Sequence, residues 1–191
     1  FSYDSIGINY RGDTLNTFNT LFGKNYHKAK SIIKNDDLFY KKVESFNDFY
    51  LSIGNFSLLP NEVPPGYTKR DSINCYRGKK WNDYYDRFLV ELDKCLSSQN
   101  EADSYLCQLK KANAFYFSKF DTLSKYVQVN YLEPYLDSNG SIQKNRILEF
   151  NSCDLTLPND YKYISIKYID ESVSIIESRA DRIISKLKNY I

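Results

Sequence analysis

Methionine is missing from the 191 residues altogether, histidine and tryptophan each occur once, and glycine (7) and proline (5) are sparse. No cysteines or histidines stand at C-x-x-C or H-x-x-x-H spacing, and no glycine-rich phosphate loop is present. Each absence removes a class of function. The four cysteines, spaced 20, 12 and 46 residues apart, match no familiar zinc pattern, and a thioredoxin-type site lacks its motif. Nucleophilic catalysis needs a base beside a serine or cysteine, and the lone imidazole, His27, sits on a lysine-flanked stretch that reads as solvated surface. The carboxylate pairs Asp36-Asp37 and Asp170-Glu171 read as helix caps and solvated faces. The expectation is a protein that is not an enzyme and that uses no metal or other cofactor.

Charge of one sign is lacking too. A formal net charge of +2, with 26% charged residues, supplies neither the basic footprint of a nucleic-acid binder nor an acidic tail, so no nucleic-acid partner is expected. No apolar run approaches the roughly 18 residues of a membrane span, and no charged-then-apolar leader follows Phe1. The chain therefore reads as a soluble piece of a larger protein, with no membrane insertion of its own. Its length suits one domain, residues 1–191.

What is abundant is tyrosine (18) and phenylalanine (12), with much Asn, Ile and Lys, the mark of an AT-rich coding sequence. These apolar residues fall mostly at helical spacing. In "DTLNTFNTLFGK", Leu15, Phe18, Leu21 and Phe22 predict a short helix with Asp13 as cap. In "NDDLFYKKVESFNDFYLSIG", Leu38, Phe39, Val43, Phe46, Phe49, Tyr50 and Ile53 share a face between an Asp36 cap and a Gly54 stop. Pro60, Pro64, Pro65 and Gly66 then mark residues 55–78 as a long loop, with Cys75 as a candidate tie.

From Lys80 the pattern Trp81, Tyr84, Phe88, Leu92, Cys95, Ala102, Leu106, Leu109, Tyr116, Phe120, Leu123, Val127 runs to the stop at Glu133-Pro134. Unbroken, this helix would exceed roughly 70 Å and need a long partner. That partner is "NDYKYISIKYIDESVSIIESRADRIISKLKNYI", with Tyr161, Ile164, Tyr168, Ile175, Ile176, Ala180, Ile183, Leu187 and Ile191 in phase over nearly eight turns. Residues 141–150 read as a short connecting helix. The predicted fold is an all-α, elongated bundle: two long antiparallel helices, with shorter ones at the N-terminal end.

The polar run at 97–101 interrupts the first long pattern, but the apolar phase recovers after it and no Gly or Pro fills it. Continuous helix is thus favoured over a hairpin. In a continuous helix Cys95 and Cys107 lie about 18 Å apart, beyond the roughly 7 Å between Cα atoms that a disulfide allows. In a hairpin they would face each other and could pair. On the continuous-helix reading the favoured disulfides are Cys75–Cys95 and Cys107–Cys153, each tying a loop to the long helix; buried thiols in an intracellular protein are the alternative.

Three short motifs carry less. Arg11-Gly12-Asp13 is the integrin tripeptide in an expected loop, but three common residues coincide easily and Asp13 serves equally as a cap. Asn55-Phe56-Ser57 and Asn139-Gly140-Ser141 are glycosylation acceptor patterns, compatible with secretion. The surplus tyrosines of "NDYYDRF", "NAFYFSKF" and "DYKYISIKY" suit either an interface or a core built with little leucine.

Two segments carry a resemblance. "ELDKCLSSQNEADSYLC" is similar to a long-helix segment of the reticulocyte-binding-like family of malaria-parasite invasion ligands, in its Lys-Cys-aliphatic triplet, polar stretch and second cysteine. "SIKYIDESVSIIESR" resembles that family's late helix, with Ile166, Lys167, Tyr168, Ile169, Val173, Ile176 and Arg179 on its aliphatic, lysine, aromatic and arginine positions. "FSYDSI" is a fainter echo, and the matches cover about a quarter of the chain. The stretch from Cys107 to Ile166 is shorter than in that family, and no cysteine near the N-terminus replaces the usual partner of the Cys95 position.

The resemblance implies a disulfide-braced helical ectodomain, secreted from the apical organelles (rhoptries) to the merozoite surface, that binds a host erythrocyte surface protein without chemistry. Trp81, Tyr84, Tyr85, Tyr131 and Tyr135 are then candidate receptor anchors, with core packing the competing role of each. The loops at 55–74 and 134–140 would adjust the fit. A helical scaffold that assembles with other parasite surface proteins is the alternative.

Overall fold

The structure is a computed structural model, and it describes residues 2–3, 8–14, 35–60, 85–97, 105–143 and 158–190. The described part is predominantly helical. Six α-helices occur in it: α1 (Asp37–Tyr50), α2 (Tyr85–Leu96), α3 (Tyr105–Ala112), α4 (Ala114–Phe117), α5 (Leu123–Asn130) and α6 (Pro158–Lys188). Single 3-10 turns follow α1 (Ile53–Asn55) and α5 (Glu133–Tyr135). The helix expected over 15–22 and most of the loop expected over 55–78 lie outside the described residues.

Three short strands add what helical periodicity does not anticipate. β1 (Ser2–Tyr3), β2 (Ile8–Thr14) and β3 (Phe56–Pro60) form an antiparallel sheet in the order β1-β2-β3. Gly12 pairs with Leu58 and Asp13 with Ser57, so Arg11-Gly12-Asp13 is ladder-bonded strand rather than an open loop. The beginning of the expected 55–78 loop is the strand's other half.

Helix α1 starts where the sequence predicts. Asp36 is extended, and its Oδ1 accepts a hydrogen bond from the Phe39 amide at 3.0 Å, satisfying one of the first-turn donors. Phe39 and Phe46, seven residues apart, are wholly buried. The helix ends at Tyr50, before Gly54, whose part is different. A Cβ on Gly54 would sit 2.0 Å from the Ile176 carbonyl oxygen and 3.0 Å from the Ala180 amide. The 3-10 turn lies directly on the backbone of α6, and only glycine allows that approach.

The contacts of α1 with α6 advance in the same direction along both. Lys162 pairs with Asp36, Lys42 with Asp170, and Gly54 meets Ile176. The helix lying along α6 is therefore parallel to it, and short. Among the described residues there is no second long helix, because the predicted rod is interrupted three times: after Leu96, at Asn113, and between Phe117 and Leu123. At Ser97 the amide and the hydroxyl both donate to the Asp93 carbonyl, at 2.9 and 2.8 Å, consuming the last-turn acceptor. At Asn113 the side-chain amide donates to the Leu109 carbonyl at 2.9 Å before α4 begins. Breaking the rod lets α2, α3 and α5 fold onto one another, so that Phe88, Leu89, Leu92, Leu106, Leu109, Tyr126 and Val127 enter a single core. Continuous helix would leave those faces without partners.

Aromatics fill this core. Phe88, Tyr126, Phe120 and Tyr116 form a chain of edge-to-face contacts with centroids 5.1–6.2 Å apart, and Phe46 meets Tyr168 of α6 at 5.9 Å. Residues 141–143 are not helical: Leu136 and Ile142 bridge across a tight turn in which Asp137 Oδ1 accepts from the amides of Asn139 and Ser141, at 2.8 and 2.9 Å. Gly140 adopts φ 77 there, in the left-handed region.

Arg179 of α6 gathers these pieces. It is only 4% exposed; its Nη1 donates to the carbonyls of Gly54 (2.8 Å) and Phe56, and its Nε to that of Asn130 (3.1 Å). Replacing it by Met would strand three carbonyls in the interior. Arg179→Met is expected to cost about 3–5 kcal/mol, which urea unfolding followed by circular dichroism would measure.

The Lys162 ammonium and the Phe39 amide hold the Asp36 carboxyl below its ordinary value of 3.8. A depressed carboxylate stabilises above its unfolded value and loses that contribution as pH falls through the folded one. Asp36→Asn should therefore unfold at lower urea than the native chain at pH 7, and the gap should close below pH 3.8.

Candidate binding surfaces

Among the described residues no group of three His, Cys, Asp or Glu side chains is arranged to hold a metal, and no helix is long and apolar enough to cross a membrane. Of the candidate anchors, Trp81 and Tyr84 lie outside the described residues. Tyr85 opens α2. Tyr135 is 1% exposed and belongs to the core, so it cannot be a contact residue. Its fate is shared by Tyr116, Tyr126 and Tyr168, which answers the question of surplus tyrosine at these positions in favour of packing.

Of the two anchor candidates whose side chains are described, Tyr131 reaches a surface. It caps α5 in the left-handed conformation, φ 55 and ψ 46, which lets the Leu132 amide reach back to the Val127 carbonyl at 2.9 Å. Arg179 takes the neighbouring Asn130 carbonyl. The half-buried Tyr131 lines a cleft of about 720 Å³ between the end of α5 and the C-terminal third of α6, with Glu133, Asp181, Arg182 and Lys186 on its walls. Arg182 and Glu133 lie 3.8 Å apart across it. This is a mixed-charge groove around one aromatic ring, suited to a polar contact.

A second cleft, of about 630 Å³, opens between α2, the start of α5 and the 136–142 turn. Asp93, Lys94, Thr122 and Ser124 contribute its polar groups, and the Thr122 hydroxyl accepts from the Lys125 amide at 3.3 Å.

Sequence reading missed a third surface. Leu51, Ile53, Phe56 and Leu58 are 70, 48, 42 and 53% exposed, within eight consecutive residues. In β3 the alternation is clear: Ser57 is buried while Phe56 and Leu58 face outward. Ile53 was expected on the buried face of α1, together with Leu38, which is also exposed. The helical phase that placed Ile53 there ends at Tyr50. The signal that could have found this ledge is the run "FSLL" after a glycine, whose period of two differs from the helix before it.

The two glycosylation patterns separate in the fold. Asn55 is wholly buried and its Nδ2 donates to the Tyr50 carbonyl at 2.8 Å, so it cannot accept a glycan as folded, whereas Asn139 is exposed in its turn. The thiols also depart from expectation. With the rod broken at Ser97, Cys95 and Cys107 face each other with Sγ atoms 2.7 Å apart, in place of the favoured pairing of each with Cys75 and Cys153, which lie outside the described residues.

These features define a predominantly helical chain with clefts and an apolar ledge on its surface. A model of a family of unknown function (DUF6994) matches residues 8–183, and the chain belongs to that family. No curated protein and no solved structure matches it.

Tyr131 carries a conformation that glycine adopts without steric cost. Tyr131→Gly is expected to leave stability within about 1 kcal/mol of the native value or to raise it, as thermal unfolding would show, although it removes a large side chain.

Proposed function

We propose that this chain is a non-enzymatic protein-recognition module whose contact face is the Leu51–Leu58 ledge. One observation carries the proposal: four large apolar side chains stand exposed within eight consecutive residues, on elements held from behind by Arg179 through the Gly54 and Phe56 carbonyls and by the close seat of Gly54 on α6. Single exposed apolar residues are ordinary, but several in one short stretch on such a support are the form of an interaction surface.

The target is proposed from the resemblance to reticulocyte-binding-like ligands: a host erythrocyte surface protein, met by a secreted parasite domain. Two structural facts bear on that choice. In the first resembling segment the two described helix ends face each other through Cys95 and Cys107 instead of continuing one long helix, and in the second Tyr168, Ile169, Ile176 and Arg179 are buried, so the shared pattern follows a helix's packing face. Assembly with other surface proteins of the same source is the second reading, favoured by the same ledge.

Flow cytometry of the folded protein on intact and protease-treated red cells separates the two. Saturable, protease-sensitive binding is expected for the host-receptor target. The double variant Leu51→Asp, Leu58→Asp should keep the native melting temperature and weaken that binding at least about tenfold. Clean absence of binding by a folded monomer would transfer the proposal to the assembly reading.

A further inference from the structure

The hairpin that replaces the predicted rod brings two thiols together, and three features converge on them. Cys95 lies in the last turn of α2, 7% exposed, and Cys107 in the first turn of α3, half-buried, with their Sγ atoms 2.7 Å apart. One turn beyond Cys107, Lys110 Nζ donates to the Cys95 carbonyl at 3.1 Å, tying the same two helix ends by a second bond. Leu92, Leu106 and Leu109, on either side of the pair, are sealed in the core.

We propose that Cys95 and Cys107 are a modification site: an intramolecular disulfide that clasps α2 to α3. The oxidant class is a low-molecular-weight disulfide such as oxidised glutathione. The half-buried Cys107, as thiolate, attacks one sulfur of the oxidant, forming a mixed disulfide and releasing one thiolate. Cys95, already facing it and shielded from solvent, then attacks the Cys107 sulfur as thiolate and releases the second. The two cysteines lose two electrons and two protons, and the oxidant becomes two thiols. Solvent access thus orders the steps, with Cys107 the entry thiol and Cys95 the resolving one. The clasp is independent of the binding reading. Of the three pairings that four cysteines allow, the one containing it leaves Cys75 and Cys153 to each other.

Trypsin cuts after Lys94 and Lys110, so both cysteines fall in one peptide, CLSSQNEADSYLCQLK. The folded protein is equilibrated with oxidised and reduced glutathione, blocked with iodoacetamide and digested without reductant. The expected result is that this peptide is two hydrogens lighter than the dithiol and carries no carbamidomethyl group. Two carbamidomethyl groups on it, or its attachment to a peptide containing Cys75 or Cys153, would overturn the proposal. In a Cys75→Ser, Cys153→Ser background, reductant should lower the melting temperature by roughly 5–10 °C, as closure of a loop this short implies. An unchanged melting temperature there would count equally against it.

Discussion

The fold hangs on one buried guanidinium. Arg179 projects from the C-terminal third of α6, the longest helix among the described residues, and bonds the carbonyls of the 3-10 turn and of β3 on one side and the last carbonyl of α5 on the other. Those acceptors come from ends of elements, where backbone groups have no partner of their own. A planar, permanently charged fork can serve several at once, which lysine cannot do in the same geometry. Thus α6 is an axle to which the sheet and the helical hairpins are fixed by a residue that sequence periodicity places merely at one more position of a helix face.

Glycine and the aromatics complete that arrangement. Gly54 brings the backbone of its turn against that of α6, so the carbonyls that Arg179 needs arrive within reach. The space left between short helices is then closed by rings in edge-to-face contact instead of by interlocking aliphatic ridges. A tyrosine-rich composition that first suggests an interface is, for Tyr116, Tyr126, Tyr135 and Tyr168, the filling of a core.

Two surface features differ in chemistry. The Tyr131 groove is polar, bordered by both signs of charge, and its strained residue is explained by the way α5 ends. The ledge at Leu51–Leu58 is apolar and has no such internal explanation. Family membership assigns neither, because the family's function is unknown.

By itself the sequence determined the local terms: the helical character, the Asp36 cap, the phase of Phe39 and Phe46, and the long amphipathic course of α6, all set by neighbours within a turn or two. It also marked Glu133-Pro134 as a helix stop, close to where α5 ends at Asn130. Only the tertiary structure decided where the supposed rod breaks, because burying Leu92 and Leu106 in one core outweighs the helical continuity that their spacing suggests. The parallel course of α1 along α6, the pairing of β2 with β3, the exposure of the ledge and the meeting of Cys95 with Cys107 share that dependence. Each is a contact between segments whose separation no periodicity records, and each is settled by which apolar faces can be covered simultaneously.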